Sequence, residues 1–265
     1  MKKTFLLSCL MLAAMPVMAA YTGHVYVDKN KNGVFDQSEK PLAGIKVSDG
    51  LNVVETAADG SFTLPGHERE RFIFITTPSG YKTFNRHYHK IEKKQSGYDF
   101  GLIPYSGRIR KNGSHRYIHI ADTEIFNTEN HADWVNNVRD YARNEQAAFI
   151  IHTGDICYEK GLKAHIKLMN TENMDCPVFY CIGNHDLVKG KYGEELFESI
   201  YGPVYYSFDA GNVHYVVTPM PGGDHAPGYT SDDVCRWLKN DLAHIRPGTP
   251  VVVFNHDLLT YEDTF

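Results

Sequence analysis

The chain has 265 residues, enough for one moderate domain and a smaller one. Its hydrophobic content of 42% and aromatic content of 12% are typical of a globular protein and argue against intrinsic disorder. The formal charge is −5, and the sequence has no basic stripe interleaved with aromatic residues, so nucleic-acid binding is not expected.

Residues 1–19 have the pattern of a secretory signal peptide. Two lysines form the charged start, an apolar stretch runs from Phe5 to Met15, and Ala19 ends a small-residue cleavage site. The apolar stretch is shorter than the roughly 20 residues that a membrane-spanning helix needs. We therefore predict a periplasmic or secreted protein with no transmembrane segment after cleavage.

Residues 20–106 predict a small all-β sandwich domain. Alternating runs such as Thr22–Val27 and Arg71–Thr77 are typical of half-buried strands, and Asp59-Gly60 favours a hairpin turn. We expect a surface loop at 86–89 and, at 101–113, either a linker or a further strand. The pattern resembles the transthyretin-like or immunoglobulin-like modules of secreted proteins.

One loop of this region has the spacing of a calcium-binding loop. Oxygen-bearing side chains stand at loop positions 1, 3, 5, 9 and 12, with glycine at position 6. They belong to Asp28, Asn30, Asn32, Asp36 and Glu39. Because Ca²⁺ takes six or more oxygen ligands, we predict a structural calcium ion here. The alternative is an Asn/Gly-rich hairpin that needs no ion.

Residues 107–265 predict an α/β domain in which buried strands alternate with helices. The expected strands are the apolar runs Tyr117–Ala121, Ala148–Thr153, Pro177–Tyr180 and Val251–Phe254. We also predict a hairpin of strands at 205–208 and 213–217, and His214, which alternates with apolar residues, is expected to be a buried, hydrogen-bonded histidine rather than a ligand.

Two helices are expected in this second domain. The first covers Asn130 to Glu145, with Trp134, Val138, Tyr141 and Ala142 on its buried face. The second is capped by Ser231, and its buried stripe is Val234, Trp237, Leu238 and Leu242.

The strands of the second domain end in residues that bind metals or transfer protons. These are Asp122, Glu124, Asp155, Asn184, His185, Asp186 and His256. The first three strand ends recur about every 30 residues, the length of one strand–helix–strand unit. Since the carboxyl ends of the strands in an open α/β sheet line one crevice, we expect these side chains to converge. We also expect Asp122 and Glu124 to point the same way, because side chains alternate along a strand.

Four motifs in this order resemble the calcineurin-like metallophosphoesterase family. They are Asp122-Thr123-Glu124, Gly154-Asp155, Gly183-Asn184-His185-Asp186 and the strand-end His256. The resemblance covers about residues 114–265, and Gly-Asn-His-Asp is its most specific piece. It implies a β-sandwich flanked by helices, two divalent metal ions (Mn, Fe, Zn or Mg) and a phosphate-ester substrate, either a mono- or a diester.

The resemblance also implies a division of the metal ligands. Asp122 and Glu124 would hold the first ion, Asn184 and His256 the second, and Asp155 would bridge the two. Such a pair generates hydroxide near neutral pH and clamps the phosphate oxygens.

Two catalytic residues are implied beside the metals. His185 would lie by the phosphate and either stabilise the developing charge or protonate the leaving oxygen, and Asp186 would orient its ring. Selectivity would come from loops such as 219–229, where Asp224 and His225 are candidates to face the crevice.

The sequence departs from the family pattern at two points. Glu124 stands where the family has His or Gln, and this harder ligand favours manganese, iron(II) or magnesium. No Gly-His-x-His follows His256, so we expect residues 107–265 to be C-terminally incomplete. The competing hypothesis is an inactive relative that serves as an envelope binding module; a metal titration distinguishes the two. The sequence does not set the oligomeric state.

Overall fold

The computed structural model describes residues 20–95, 97–105 and 108–257, so the predicted signal peptide lies outside the described residues. The strands are β1 (Tyr21–Val27), β2 (Lys40–Pro41), β3 (Lys46–Ser48), β4 (Val53–Glu55), β5 (Ser61–Leu64), β6 (Phe72–Ile75), β7 (Tyr81–Thr83), β8 (Tyr88–Lys90), β9 (Phe100–Pro104), β10 (Tyr117–Ile120), β11 (Phe149–His152), β12 (Val178–Tyr180), β13 (Tyr206–Ala210), β14 (Val213–Val217) and β15 (Val251–Phe254). The helices are α1 (Ala132–Asn144), α2 (Tyr158–Leu168), α3 (Glu195–Tyr201) and α4 (Ser231–Ala243), and a 3-10 turn covers Asn184–Asp186. None of the helices in the described ranges combines the length and hydrophobicity that a membrane crossing requires.

The region before residue 105 is all β, as predicted. One sheet has the order β2-β1-β9-β7, with β5 also paired to β1, and the other has the order β4-β3-β6-β8. Apolar side chains that alternate along the strands fill the space between the sheets, among them Val25, Val47, Phe62, Ile73 and Phe100.

The expectation of a surface loop at 86–89 is wrong. Tyr88 begins β8, which pairs antiparallel with β6, and the Tyr88 ring packs edge-on against Phe72. A strand of three residues is too short to show a period in the sequence. Of the range 101–113, only residues 101–104 form a strand, as the end of β9, which pairs in parallel with β1; the described residues 105 and 108–113 are not in a strand.

The second region has the mixed α/β architecture that the sequence predicts. Strands β10, β11 and β12 form a parallel sheet, so their carboxyl ends lie at one edge. The hairpin β13–β14 and the parallel strand β15 form a second sheet. The two sheets face each other across an aromatic core, in which Phe179 and Phe208 stack with ring centroids 3.7 Å apart.

Helix α1 buries only part of the predicted face: Val138 and Ala142 pack as expected, but the two aromatic residues do not. Trp134 and Tyr141 are 40% and 60% exposed, whereas Val135 and Ala142 are buried and Val138 is partly buried against the same core. Positions 135, 138 and 142 form a stripe at helical spacing, and this stripe of small side chains faces the core. In α4, Val234 and Trp237 are fully buried, as expected, but Leu242 is 36% exposed. The predicted cap is wrong by one residue, because Thr230 and not Ser231 accepts the Asp233 N–H.

The β-rich region packs directly on the second region. Phe72, Phe74 and Tyr88 belong to the same buried cluster as the aromatic core between the second region's sheets. Phe74 lies with its ring centroid 6.3 Å from that of Trp237, and the Lys46 ammonium lies 3.3 Å from the Asp209 carboxylate. The described parts of the two regions therefore share buried surface.

Candidate metal centre

Gly154 allows three strand ends to meet. Its φ of +100° is a backbone conformation that glycine adopts and other residues rarely do. A Cβ at this position would also lie only 2.5 Å from the Gly183 nitrogen and 2.9 Å from His256 Nδ1. The backbone after β11 therefore lies directly against the backbone after β12 and against the side chain of His256, which follows β15. This contact brings the polar residues that follow each strand into one place.

Asp122, Asp155 and His256 form a three-ligand group. One ligand atom from each residue lies within 4.8 Å of the other two. Asp155 is 7% exposed, and its Oδ2 lies 3.4 Å from His256 Nε2. Carboxylate and imidazole donors that converge from separate strand ends have the ligand chemistry of a divalent transition-metal site.

The His256 ring is oriented as a metal-binding imidazole requires. Its Nδ1–H donates to the Thr153 carbonyl over 2.8 Å, which leaves the Nε2 lone pair for a metal. Metal-ligating histidines commonly fix their second nitrogen in this way. The residues present therefore fit a bound metal ion.

The backbone is strained at the candidate ligands. Asp122, Glu124 and Asp155 have φ of 52°, 44° and 53°, in the left-handed region that glycine favours. Each such residue costs on the order of 1–3 kcal/mol, and such residues cluster at functional sites. The expectation that strand alternation aligns Asp122 with Glu124 is wrong, because β10 ends at Ile120 and neither residue is extended.

Glu124 is exposed and lies outside the three-ligand group. Its negative charge nevertheless acts on the buried Cys157 thiol together with the charges of the other site carboxylates. Burial, followed by the charges of Asp155, Asp186, Glu124 and Asp122, raises the pKa of Cys157 to about 12. The carboxylates thus concentrate negative charge that bound cations would neutralise.

Gly183 and His185 are held against Asp155. The His185 backbone N–H donates to Asp155 Oδ1 over 3.1 Å, and a Cβ on Gly183 would lie 2.2 Å from that same oxygen. Only glycine at position 183 permits this approach. The Gly-Asn-His-Asp motif is therefore docked on the carboxylate that was predicted to bridge.

Asp186 does not orient His185, contrary to the sequence-based expectation. It is fully buried, and its two carboxylate oxygens accept the backbone N–H groups of Gly183 and Cys157 over 3.0 and 2.8 Å. Burial raises the pKa of Asp186 to about 6. The carboxylate holds the two neighbouring strand-end loops together.

Asp224 takes the place expected of Asp186. The His185 Nδ1–H donates to Asp224 Oδ2 over 2.9 Å, and this hydrogen bond raises the pKa of His185. The sequence suggested that Asp224 faces the site but not which residue it contacts. The two are 39 positions apart, and no pattern joins them.

Two family models match the chain. The model for the N terminal of calcineurin-like phosphoesterase matches residues 29–104, and the model for calcineurin-like phosphoesterase matches residues 115–263, more than half of the chain. The chain belongs to the calcineurin-like phosphoesterase family. A comparison with curated proteins gave no significant match. The family acts on phosphate esters with divalent metal ions, and the predicted domain boundary at 106–107 falls between the two matched ranges.

Next to the candidate metal centre lies a buried histidine pair, His152 and His165, that the sequence analysis missed. The Gly154 N–H donates to His152 Nδ1, so His152 Nε2–H donates to the Thr123 hydroxyl over 2.8 Å. His165 Nδ1 lies 3.4 Å from the same hydroxyl. Burial lowers the pKa of His152 well below its usual range. Both rings contact the Thr123 hydroxyl and so position the Asp122–Glu124 segment.

The predicted calcium-loop residues lie together in the β-rich region. Asp28 accepts the backbone N–H groups of Asn32 and Gly33 over 3.2 and 2.9 Å, and Glu39 accepts those of Lys29 and Asp36 over 2.9 and 3.2 Å. Asp36 accepts the side-chain amides of Asn30 and Asn32. The loop closes through its own hydrogen bonds, and the calcium ion stays a prediction.

A second group with metal-ligand chemistry lies at Asp49, His67 and Glu70. The Asp49 carboxylate accepts the backbone N–H groups of Leu51 and Asn52 and the Asn52 amide. These hydrogen bonds account for the group as a structural turn, so we assign it no metal.

Proposed function

We propose that the protein hydrolyses phosphate mono- or diesters at a dinuclear metal centre. The observation that carries the proposal is the convergence of Asp122, Asp155 and His256 within 4.8 Å from three separate strand ends. Family membership supports phosphoester hydrolysis in general, and the convergence supports the location of the chemistry.

Asp155 has the contacts expected of a central, bridging ligand. Its Oδ2 faces His256 and its Oδ1 accepts the His185 backbone N–H, so the carboxylate lies between the two halves of the site. We assign Asp122 and Glu124 to one ion and Asn184 and His256 to the other. When bound, the ions would polarise the phosphate oxygens and activate the attacking water.

His185 is the group that we assign to the phosphate and the leaving oxygen. Its side chain is 38% exposed, so a substrate can reach it. A donated hydrogen bond from the ring would stabilise the charge that develops on the phosphoryl oxygens, and the ring would return a proton to the departing alkoxide.

We also propose that the enzyme works in the cell envelope, as a periplasmic or secreted protein. The support is the sequence of residues 1–19, with its charged start, apolar stretch and small-residue cleavage site. Fractionation of cells that express the full chain, with N-terminal sequencing of the mature protein, tests this proposal. A cytoplasmic, uncleaved protein would contradict it.

A metal titration with parallel turnover assays tests the proposed chemistry. We expect two divalent ions per chain by calorimetry, with hydrolysis of p-nitrophenyl phosphate or bis(p-nitrophenyl) phosphate in Mn²⁺, Fe²⁺, Zn²⁺ or Mg²⁺. One weakly bound ion with no turnover of either compound would contradict the proposal. That result would favour the inactive binding module.

A further inference from the structure

We infer that Asp224 is the positioning residue for His185, a role that rests on the proposed function of that histidine. The His185 Nδ1–Asp224 Oδ2 distance is 2.9 Å. An ionised carboxylate can only accept a hydrogen bond, so Nδ1 must carry the hydrogen. Nε2 is then the nitrogen left for the substrate, and it can donate to the phosphate or leaving oxygen once the ring carries its second proton.

The loop that carries Asp224 is itself fixed to the metal site. We call residues 219–230, between β14 and α4, the 219–230 loop. The Asp224 backbone N–H donates to the Asn184 carbonyl over 3.1 Å, so Asp224 holds both the main chain before His185 and the His185 ring. A Cβ on Gly223 would lie 2.6 Å from the same Asn184 carbonyl, which makes the approach specific to glycine.

Further hydrogen bonds fix the 219–230 loop at positions distant from His185. The Tyr229 hydroxyl donates to the Met220 carbonyl over 2.7 Å, and the Gly228 N–H donates to the buried Glu194 carboxylate. Asp224 is therefore presented by a segment closed on itself and tied to its surroundings. A carboxylate held in this way restricts the rotation of the imidazole to which it is bonded.

Tyr158 packs against the His185 ring on another side and restricts its rotation. Its ring centroid lies 5.4 Å from that of His185, and its hydroxyl lies 3.5 Å from Nδ1. Tyr158 has φ of 59° and is 49% exposed, so neither backbone preference nor burial explains its position. Asp224 and Tyr158 together enclose the Nδ1 side of the imidazole.

Stability does not account for the Asp224–His185 pair. Each side chain is 38% exposed, and exposed ion pairs contribute little to folding. The pair matters instead for orientation, because a small displacement of a group that transfers a proton slows the chemical step strongly.

The test compares Asp224→Ala, Asp224→Asn and a control, Asp232→Asn, whose carboxylate is 79% exposed at the start of α4. We expect Asp224→Ala to lower kcat by about 10- to 100-fold, as for other groups that orient a site residue. KM and the metal stoichiometry should not change. Asp224→Asn keeps an oxygen that accepts the Nδ1–H, so it should recover most of kcat, and the control should behave as wild type.

A second measurement does not depend on turnover. Nitrogen-15 NMR of the metal-free protein, at a pH where the ring is neutral, should show His185 as the Nδ1–H tautomer; the His185→Gln spectrum identifies its resonances. In Asp224→Ala the resonances should move towards a mixture of tautomers. This shift without turnover in any variant would support the positioning and contradict the proposed function. An unchanged His185 spectrum in Asp224→Ala would overturn the inference, as would an Asp224→Ala kcat equal to that of an active wild type.

Discussion

The molecule contains two histidine–carboxylate clusters with opposite surroundings. His185 is bonded to one carboxylate, Asp224, and both side chains are 38% exposed beside the metal centre. His214 is 1% exposed and lies between two carboxylates, with Nδ1 2.6 Å from Asp209 and Nε2 2.7 Å from Asp241. The same residue types thus form a solvent-accessible pair in one place and a buried cluster in the other.

The buried cluster is complete in its hydrogen bonds. The Ser207 hydroxyl donates to the second Asp241 oxygen over 2.8 Å, and Lys46 of the β-rich region lies 3.3 Å from Asp209. Two carboxylates are balanced by one imidazolium and one ammonium. Because a buried charge is tolerated only when it is paired, this cluster stabilises the contact between the two regions rather than taking part in chemistry.

The first prediction concerns the open site and has the largest expected effect. Asp155→Asn removes the central carboxylate and should reduce kcat/KM by more than about 100-fold, because even residues that only support metal ligands contribute 10- to 100-fold. Calorimetry should show fewer bound ions, and the urea unfolding curve should change little. If Asp155→Asn retained both ions and wild-type turnover, the bridging assignment would be wrong.

The second prediction concerns the closed cluster. Asp241→Asn should lower the free energy of unfolding by about 1.5–3 kcal/mol, because His214 keeps Asp209 as its charged partner but loses the ionised acceptor at Nε2. Turnover per folded molecule should be unchanged, which is the reverse of the result for Asp155→Asn. The control is Asp140→Asn, at a carboxylate that is 54% exposed, and urea denaturation followed by circular dichroism measures both. Equal stability of the two variants would refute the distinction.

The third prediction is a pH dependence of stability set by His214. Burial alone would lower its pKa, but the hydrogen bonds to Asp209 and Asp241 raise it from 6.5 to about 9. A raised folded-state pKa gives stability that is present in full below pH 6.5 and is lost as the pH rises through about 9. At about 1.4 kcal/mol per pH unit between those values, the loss is about 3 kcal/mol. His214→Gln should flatten the decline between pH 7 and 10 in a series of unfolding curves; an equally steep decline would assign it to other groups.

The sequence predicted the framework of both clusters but not their contacts. Strand ends at Asp122, Asp155 and His256 follow from local apolar runs and from the rule that parallel strands share an edge. The burial of His214 follows from its alternation with apolar neighbours. The partners Asp224 and Asp241 lie 39 and 27 positions from their histidines, in a loop and on a helix whose packing no local pattern encodes.

Asp186 shows why a correct motif led to a wrong role. Adjacency in sequence suggested a contact with His185, but in the tight 3-10 turn the Asp186 carboxylate points back to the Gly183 N–H, three residues before it. The exposed Trp134 and Tyr141 show a similar limit, because residue size alone did not decide which face of α1 packs. Both errors arise where geometry within a single turn decides the contact.

The last prediction has the smallest expected effect and concerns stabilisation of the protein by Ca²⁺ at the calcium-loop residues, which belong to neither histidine cluster. If the loop binds Ca²⁺, a concentration ten times the dissociation constant should raise the free energy of unfolding by about 1.4 kcal/mol. Asp36→Asn should remove the gain, because it takes a charge from the loop while leaving the backbone hydrogen bonds of Asp28 and Glu39 in place. Thermal unfolding in chelator, Ca²⁺ and Mg²⁺ measures the shift, and Asp155→Asn should show the same gain as wild type. A melting temperature that does not respond to Ca²⁺ would identify the loop as a hairpin held by its own hydrogen bonds, leaving the strand-end residues as the chain's metal-binding group.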